Sequence, residues 1–380
     1  MPIPSYKISF DDEDAADDIY ENIIRLEIKE DIKQAASFTL RISITLQQEG
    51  EWSYLDDERF DLFKKVTIAF GVGEDDAVPY FEGFITHLAP HFDPAEELCY
   101  LEARGMDATC LMNLEEKIET WTDTAHSDIA GQLFAHYGLT PEVESTTAMH
   151  AETDNILVQK HTDIRFLKEL AERNGFECYV GMTDDGQVKG FFKPHALDIA
   201  PRPPLAVHFE DETNVQFMDI QVAGNQPLGI GGWHLNLGDK ELEELPVDET
   251  AVALLGSDSL SSLTRSKVEA LCSPKEAAGR VYQGDPTNLD GTELEQGLQG
   301  RLDRDSWFIK ARGSVNSESY GSLIHARNLV PVKGLGTRYS GNYLVSSVVS
   351  TLADGHFEQQ IELIRNGWGV TGDEPFESNG

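Results

Sequence analysis

Two stretches of this chain, far apart in sequence, carry the same hairpin pattern. The first reads Tyr80-Phe81-Glu82-Gly83-Phe84-Ile85-Thr86-His87-Leu88, turns through acidic residues, and returns as Leu98-Cys99-Tyr100-Leu101-Glu102-Ala103-Arg104-Gly105. The second reads Tyr339-Ser340-Gly341-Asn342-Tyr343-Leu344-Val345, turns at Ala353-Asp354-Gly355-His356, and returns as Gln360-Ile361-Glu362-Leu363-Ile364-Arg365. Each opens on a Tyr followed closely by a Gly and continues as a β-rich run, a polar turn and a second β-rich run, which is a hairpin signature. Fainter echoes precede them. Tyr6-Lys7-Ile8-Ser9-Phe10 and Ala206-Val207-His208-Phe209 each lead into an acidic run. After these come Ile23–Ile28 and Phe217–Val222, two further strand-like segments. Hairpins with acidic turns also recur by chance in an acidic chain. The shared order of strand, acidic turn, strand and late hairpin favours a duplication of one β-domain.

At 380 residues the chain exceeds a single core, and two to four domains are expected. The net charge of −37 argues against nucleic-acid or anionic-membrane binding, since both partners are polyanions. It also suggests an acidic wall if the protein surrounds a channel. No apolar run is long enough to span a bilayer, and Met1-Pro2-Ile3-Pro4-Ser5 does not read as a secretion signal. Cys99, Cys110, Cys178 and Cys272 form no C-x-x-C pair and read as free thiols in a reducing compartment. The run Asp11 to Asp14 with Asp17 and Asp18 lacks a calcium-loop pattern and reads as a solvated acidic loop.

Residues 1–106 read as the first β-domain, with strands at 5–10, 22–29, 36–46, 65–70, 79–88 and 97–104. Phe38, Leu40, Ile42, Ile44 and Leu46 alternate with polar residues, as in a half-buried strand. Residues 107–200 read as an α/β insertion. It carries a helix from Ser127, a second helix from a Thr162 cap to Gly175, and a hairpin around Asp184-Asp185-Gly186. Residues 201–225 and 306–370 make the second β-domain. Residues 226–305 interrupt it, with little β signal and a helix at Thr292 to Arg304; 371–380 read as a loose tail.

The segment Gln159 to Phe176 resembles a signature of the phage late-control D family, which includes contractile tail hubs and the hub part of type VI spike proteins. It has a strand ending in Gln159, an Asp163 cap, the Phe166-Leu167 pair, Leu170, and Gly175-Phe176. Gly83, Gly105, Asp107, Gly341 and Tyr343 sit where that family has its β-hairpins. The resemblance covers most of 1–225 and 306–368. It implies a mainly β fold with an α+β insertion: two tube-like β-barrels per chain, and a pseudo-sixfold ring as a homotrimer. It implies an adaptor between a hexameric inner tube protein and a trimeric spike, with other baseplate components as partners. The chain stops after the second barrel, so a separate spike protein is expected. Assembly would begin in the cytoplasm and end in a phage tail or injection particle. The motif residues have structural roles on this reading, and neither cofactor nor metal is implied.

Catalytic patterns are weak. There is no G-x-S-x-G, H-E-x-x-H, P-loop or Rossmann glycine fingerprint. His87 and His91 are four apart but flank Pro90, and the stretch reads as strand into loop. Phe191, Phe192, Trp233, Trp307 and Trp368 could line a sugar site, although core packing suits them better. A cell-wall hydrolase or carbohydrate-binding β-protein is therefore the alternative to a structural, non-enzymatic hub.

Overall fold

The computed structural model describes residues 5–72, 76–146, 157–195, 197–209, 212–236, 239–271, 279–283 and 291–372. Cys272, Glu210, Asp211, Ile156 and most of the expected tail lie outside them.

The first part of the chain supplies β1 (Tyr6–Phe10), β2 (Glu13–Asp14), α1 (Asp17–Asn22), β3 (Ile23–Asp31), β4 (Ser37–Ser43), β5 (Lys65–Phe70), β6 (Val78–His91) and β7 (Tyr100–Met106). The next part supplies β8 (Glu119–Trp121), α2 (His126–His136), β9 (Thr140–Val143), β10 (Leu157–Gln159), α3 (Asp163–Asn174), β11 (Glu177–Met182) and β12 (Val188–Lys193). Then come β13 (Leu205–Ala206), β14 (Val215–Val222), β15 (Gly229–Asn236), β16 (Glu241–Val247), α4 (Leu260–Leu271), β17 (Arg280–Tyr282) and α5 (Gly291–Asp305). The chain ends through β18 (Ile309–Asn316), α6 (Ser317–Tyr320), β19 (Leu329–Lys333), α7 (Gly336–Tyr339), β20 (Gly341–Ala353) and β21 (His356–Arg365).

Thirteen strands form one sheet in the order β14-β18-β21-β20-β3-β4-β7-β6-β5-β1-β2, with β19 pairing β20 and β13 pairing β19. Among the described residues no barrel closes, which corrects the expectation of two tube-like barrels. The reason is the ladder between β20 and β3. It runs antiparallel from Ser347 opposite Asp31 to Ala353 opposite Arg25, and it fuses what would be two domains into one open sheet. Two apolar cores still lie along that sheet. One gathers Ile8, Leu26, Phe38, Ile68 and Ile85; the other gathers Phe308, Val315, Tyr343, Val345 and Ile361.

The alternation read in the β4 region holds, with Phe38, Leu40 and Ile42 buried and the residues between them half-buried. The 226–305 stretch corrects the sequence reading in one respect, because β15 pairs β16 over seven residue pairs and β17 joins them. Its small core is Ile230, Val247, Leu294, Leu298 and Leu302, so α5 covers that sheet. Periodicity hid the hairpin because Glu241, Leu242, Glu243 and Glu244 are all exposed and show no alternating pattern. Helix α3 ends on Gly175 at φ 68° as its sequence suggested, since glycine accepts the left-handed region freely. Thr162 stands at the N-cap position without capping, and its hydroxyl donates to Asn113 Oδ1 at 2.8 Å instead.

The joint between the two halves has a buried polar centre. Tyr80 on β6 reaches across so that its hydroxyl lies 2.9 Å from the Glu30 carboxylate, 2.9 Å from the Ile324 carbonyl and 3.0 Å from the Ser350 hydroxyl. Gln359 Nε2 donates to the Tyr80 oxygen at 3.3 Å and to Ser350 Oγ at 3.0 Å. The His325 ring stacks on Tyr80 at 4.1 Å and its Nδ1 is 3.2 Å from Glu30. Burial, and then the Glu30 charge, hold the Tyr80 phenol well above its ordinary pKa, so it is a neutral donor at every working pH. Replacing Tyr80 with Phe removes that donor while keeping the ring, and leaves the surrounding acceptors unsatisfied. The expected cost is about 1–3 kcal/mol, read as a lower denaturation midpoint with an unchanged slope.

Candidate functional site

The sheet contains the same six-stranded unit twice. In the first half the order is β3-β4-β7-β6-β5-β1; in the second it is β14-β18-β21-β20-β19-β13, with each strand at the corresponding chain position. The irregularities match as well. A register shift lies between Ile85 and His87 against β7, and its counterpart lies between Val345 and Ser347 against β21. Another lies between Ile23 and Arg25 against β4, with its counterpart between Val215 and Phe217 against β18. Beside the first shift, Phe63 at φ 64° donates its N–H to the Ile85 carbonyl at 2.7 Å. Arg327 at φ 70° donates to the Val345 carbonyl at 2.8 Å. Positive φ at a bulky residue is uncommon, so two such residues in equivalent places are more than hairpin resemblance. Two differences remain: β1 pairs β5 antiparallel, while β13 pairs β19 in parallel over two residues, and the shift between Ile68 and Ala69 against β6 has no counterpart between β19 and β20.

These landmarks equate Ile85 with Val345 and therefore Gly83 with Tyr343. The Tyr and Gly residues that first suggested the repeat are not structural equivalents. Backbone irregularities, which leave no residue-type signal here, carry the duplication instead.

The residues of the sequence motifs fall in three places. Gly83 and Gly105 lie in the first sheet unit, where a Cβ would stand 2.4 Å from the Met106 carbonyl oxygen and 2.2 Å from the Phe38 ring respectively. Asp107 is buried at the end of β7. It accepts from Ala36 N–H at 2.7 Å and from Thr109 N–H at 2.9 Å, which ties the sheet to the α/β insertion. Burial pushes its carboxyl up.

Gln159, Asp163, Phe166, Leu167, Leu170, Gly175 and Phe176 belong to the insertion. Phe166, Leu167 and Leu170 fill its core, and Phe176 sets its ring edge-on to Phe192 at 5.4 Å. Asp163 is fully buried and accepts from Lys117 Nζ at 2.6 Å, the Tyr137 hydroxyl at 2.7 Å and Gln159 Nε2 at 2.7 Å. Burial raises the Asp163 carboxyl, but Lys117, Tyr137 and Gln159 together outweigh it and hold the group below its ordinary range. Gln159 completes the network by accepting from Trp121 Nε1 at 3.2 Å. The motif is thus a structural lock.

Gly341 and Tyr343 lie in the second unit. Gly341 has φ 141°, and a Cβ there would meet the Arg365 guanidinium at 2.2 Å. Tyr343 is buried beneath that guanidinium and donates to the Tyr339 carbonyl at 2.7 Å. The network roles of Arg365, Tyr80 and Glu30 were not legible in the sequence, nor was Gly300 in α5. The Gly300 Cα packs against Gly175, which lets α5 and the end of α3 touch backbone to backbone.

The face of the sheet opposite its cores is charge-balanced. Rungs running from β14 to β7 place Arg25, Lys29, Arg41, Arg104, Lys310 and Arg312 on it, together with Glu27, Asp31, Glu102, Asp219, Glu358 and Glu362. The whole chain has 30 basic and 67 acidic residues, so this face departs from the rest. Many of the charges pair: Arg41 and Arg104 both contact Glu102, and Arg312 reaches Asp219 at 3.1 Å.

The acidic run near the N-terminus is engaged by lysines, with Asp11, Asp12 and Asp14 paired to Lys64, Lys65 and Lys7. His87 and His91 share the exposed end of β6, where His91 stacks on Tyr100 at 4.8 Å. The candidate sugar-site aromatics are scattered through packing contacts, such as Phe191 on Tyr179 at 4.6 Å and Trp368 on Phe308 at 6.3 Å. A cleft of about 1100 Å³ separates the insertion from the sheet and is lined in part by Lys168, Glu177, His195, Trp307 and Arg327. Glu177 there is held by both His195 at 3.1 Å and Arg327 at 3.0 Å.

Residues 3–354 match the model of the Alg8 N-terminal domain family. The chain belongs to that family. The late-control D resemblance is therefore not the family assignment that the comparison gives. A search among curated proteins finds no match. Solved structures share the fold of this family member at low identity. The 43 kDa tail protein of prophage MuSo2 from Shewanella oneidensis is 12% identical with a TM-score of 0.63, over 96% of this chain and 98% of that one. A tail protein from Neisseria meningitidis MC58 is 12% identical with a TM-score of 0.64, over 96% and 97%. An E. coli component of the type VI secretion system, described as similar to the T4 tail proteins gp27 and gp5, is 10% identical with a TM-score of 0.54, over 94% and 76%. No helix among the described residues is long and apolar enough to cross a membrane.

The Asp163 lock gives a pH-dependent expectation. Its carboxyl is held below the usual 3.8, so its contribution is present above that value and is lost as pH falls through the folded value. Asp163→Asn should cost about 2 kcal/mol or more at pH 7, because it leaves Lys117 without its buried partner. The gap between parent and variant, measured by denaturation, should shrink below about pH 4.

Proposed function

We propose that this chain is a structural tail or baseplate hub whose duplicated sheet lets three copies present six equivalent units. The observation that supports this reading most directly is the repeated six-strand order with matched register shifts. A ring of three such chains would offer near-sixfold symmetry on a threefold object. A hexameric inner tube could dock on one face and a trimeric spike on the other. The fold shared with tail proteins and with a type VI secretion component is consistent with this role. The ion-paired lock in the insertion and the buried joint between the halves suit a part that transmits force without rearranging.

In the ring, the core-free face of the sheet would line the bore. Its charges balance, so the wall of the passage would be polar and near neutral rather than acidic. Strong net charge would then lie outside the bore, where it favours solubility and repels nucleic acid. A near-neutral polar wall neither traps a charged cargo nor excludes it.

The measurement is the mass of the full chain in solution, by light scattering on a sizing column. The expected species at micromolar concentration is a trimer, with an image showing a ring of six lobes. A monomer, alone or mixed with an inner tube protein, would overturn the reading.

A further inference from the structure

The internal joint predicts the contact between copies rung by rung. Strand β20 pairs β19 along its first residues, then continues past it and pairs β3. In the equivalent place β6 pairs β5 only as far as Phe84, and among the described residues no strand pairs the edge from His87 to His91. The counterpart of β3 is β14, which among the described residues pairs β18 alone. Transferring the joint by the matched shifts sets Leu88 opposite Val222, Pro90 opposite Ile220 and Phe92 opposite Met218.

Burial supports this assignment. In the joint Val348, Ser350 and Leu352 are buried against Glu30, Ile28 and Leu26. Their counterparts Leu88, Pro90 and Phe92 are all exposed, Leu88 by 38% and Phe92 by 52%; facing them, Val222 is exposed by 37%. Leu88 and Pro90 stand in water, and Phe92 remains half-exposed although the Trp52 ring meets it edge-on at 5.2 Å, at positions whose equivalents are covered in the same molecule. The missing cover is one strand wide, and β14 of another copy is the strand that fits.

We infer that β14 of one copy pairs antiparallel with residues 87–92 of the next, in the register of the internal joint, and that this heterologous contact closes the ring. The inference rests on the hub reading. On the polar face the same register brings Asp219 opposite His91, a favourable pair. Pro90 has no N–H where Ser350 has one, so apolar side-chain cover must contribute more here than in the joint. Tyr80 and its polar network also have no counterpart, since Ser340 occupies that position. The contact between copies is thus the drier of the two joints, and hydrophobic burial drives it.

The test uses the full chain with Ala89→Cys and Gln221→Cys, residues that this register makes direct neighbours and that are both exposed. Cys272 is replaced by Ser; Cys99, Cys110 and Cys178 are buried. Mild oxidation should give a covalent ladder ending at three chains. Ala89→Cys with Ala223→Cys, two residues out of register, should give at least fivefold less. As a second measurement, Val222→Lys should weaken the assembly about tenfold or more while leaving the melting of the isolated chain unchanged. A trimer by mass that cross-links equally in both registers, or in neither, would overturn this joint and leave the hub reading standing. A parent chain that stays monomeric would remove both.

Discussion

The antiparallel ladder between β3 and β20 is the constraint on which the architecture depends. Without it the chain would be two small β-units tethered by long insertions, each with an exposed strand edge. With it, one edge of each unit is consumed and the other is left open. The ladder is not held by backbone bonds alone. Tyr80, Glu30, Ser350, Gln359 and His325 converge on it from both halves, in a place where a half-satisfied network would cost more than an apolar core. That cost is also what fixes the register, since a slip by one residue would strand several buried polar atoms at once.

The same logic accounts for the contrast between the two insertions. The α/β insertion is tied to the sheet by Asp107 and closed on itself by the Asp163 network, with a sizeable core beneath α2 and α3. The second insertion has a core of five buried residues among those described and docks on α3 through Gly175 and Gly300. Glycine at both positions allows a helix end to sit directly on a helix face. The second insertion thereby gains rigidity from the first.

Much of this was legible in the chain, for identifiable reasons. The alternation of Phe38, Leu40 and Ile42 marks a strand with one wet face. The Asp163 to Gly175 segment marks a helix because its apolar spacing and terminal glycine agree. The idea of a duplication was also legible, although it rested on Tyr and Gly residues that are not equivalent. Its true markers are bulges and positive φ at Phe63 and Arg327, which are backbone features that no residue type announces. The strand pairing of Glu241 to Glu244 was hidden because these four residues are exposed on both faces, and only Leu245 and Val247 at the end of the strand meet the core. The joint was hidden for a more general reason: pairing between residues more than 300 apart leaves no local periodicity.

Charge distribution makes the final link between sheet and assembly. A chain with 67 acids and 30 bases would place about two acids for each base on any face chosen at random. The core-free face instead carries them in equal number, with cross-strand pairs at Arg41–Glu102 and Arg312–Asp219 and same-strand pairs at Arg25–Glu27 and Arg104–Glu102. Cross-strand pairs of opposite charge stabilise a sheet modestly, and like charges opposite one another destabilise it. A curved sheet that brings its side chains closer on the inner side makes like-charge crowding more costly, because field lines concentrate in a narrow low-dielectric passage. Balance on this face suits the bore-lining role proposed for it. Excess acid is tolerable only on surfaces that diverge into solvent, where screening operates within about 10 Å.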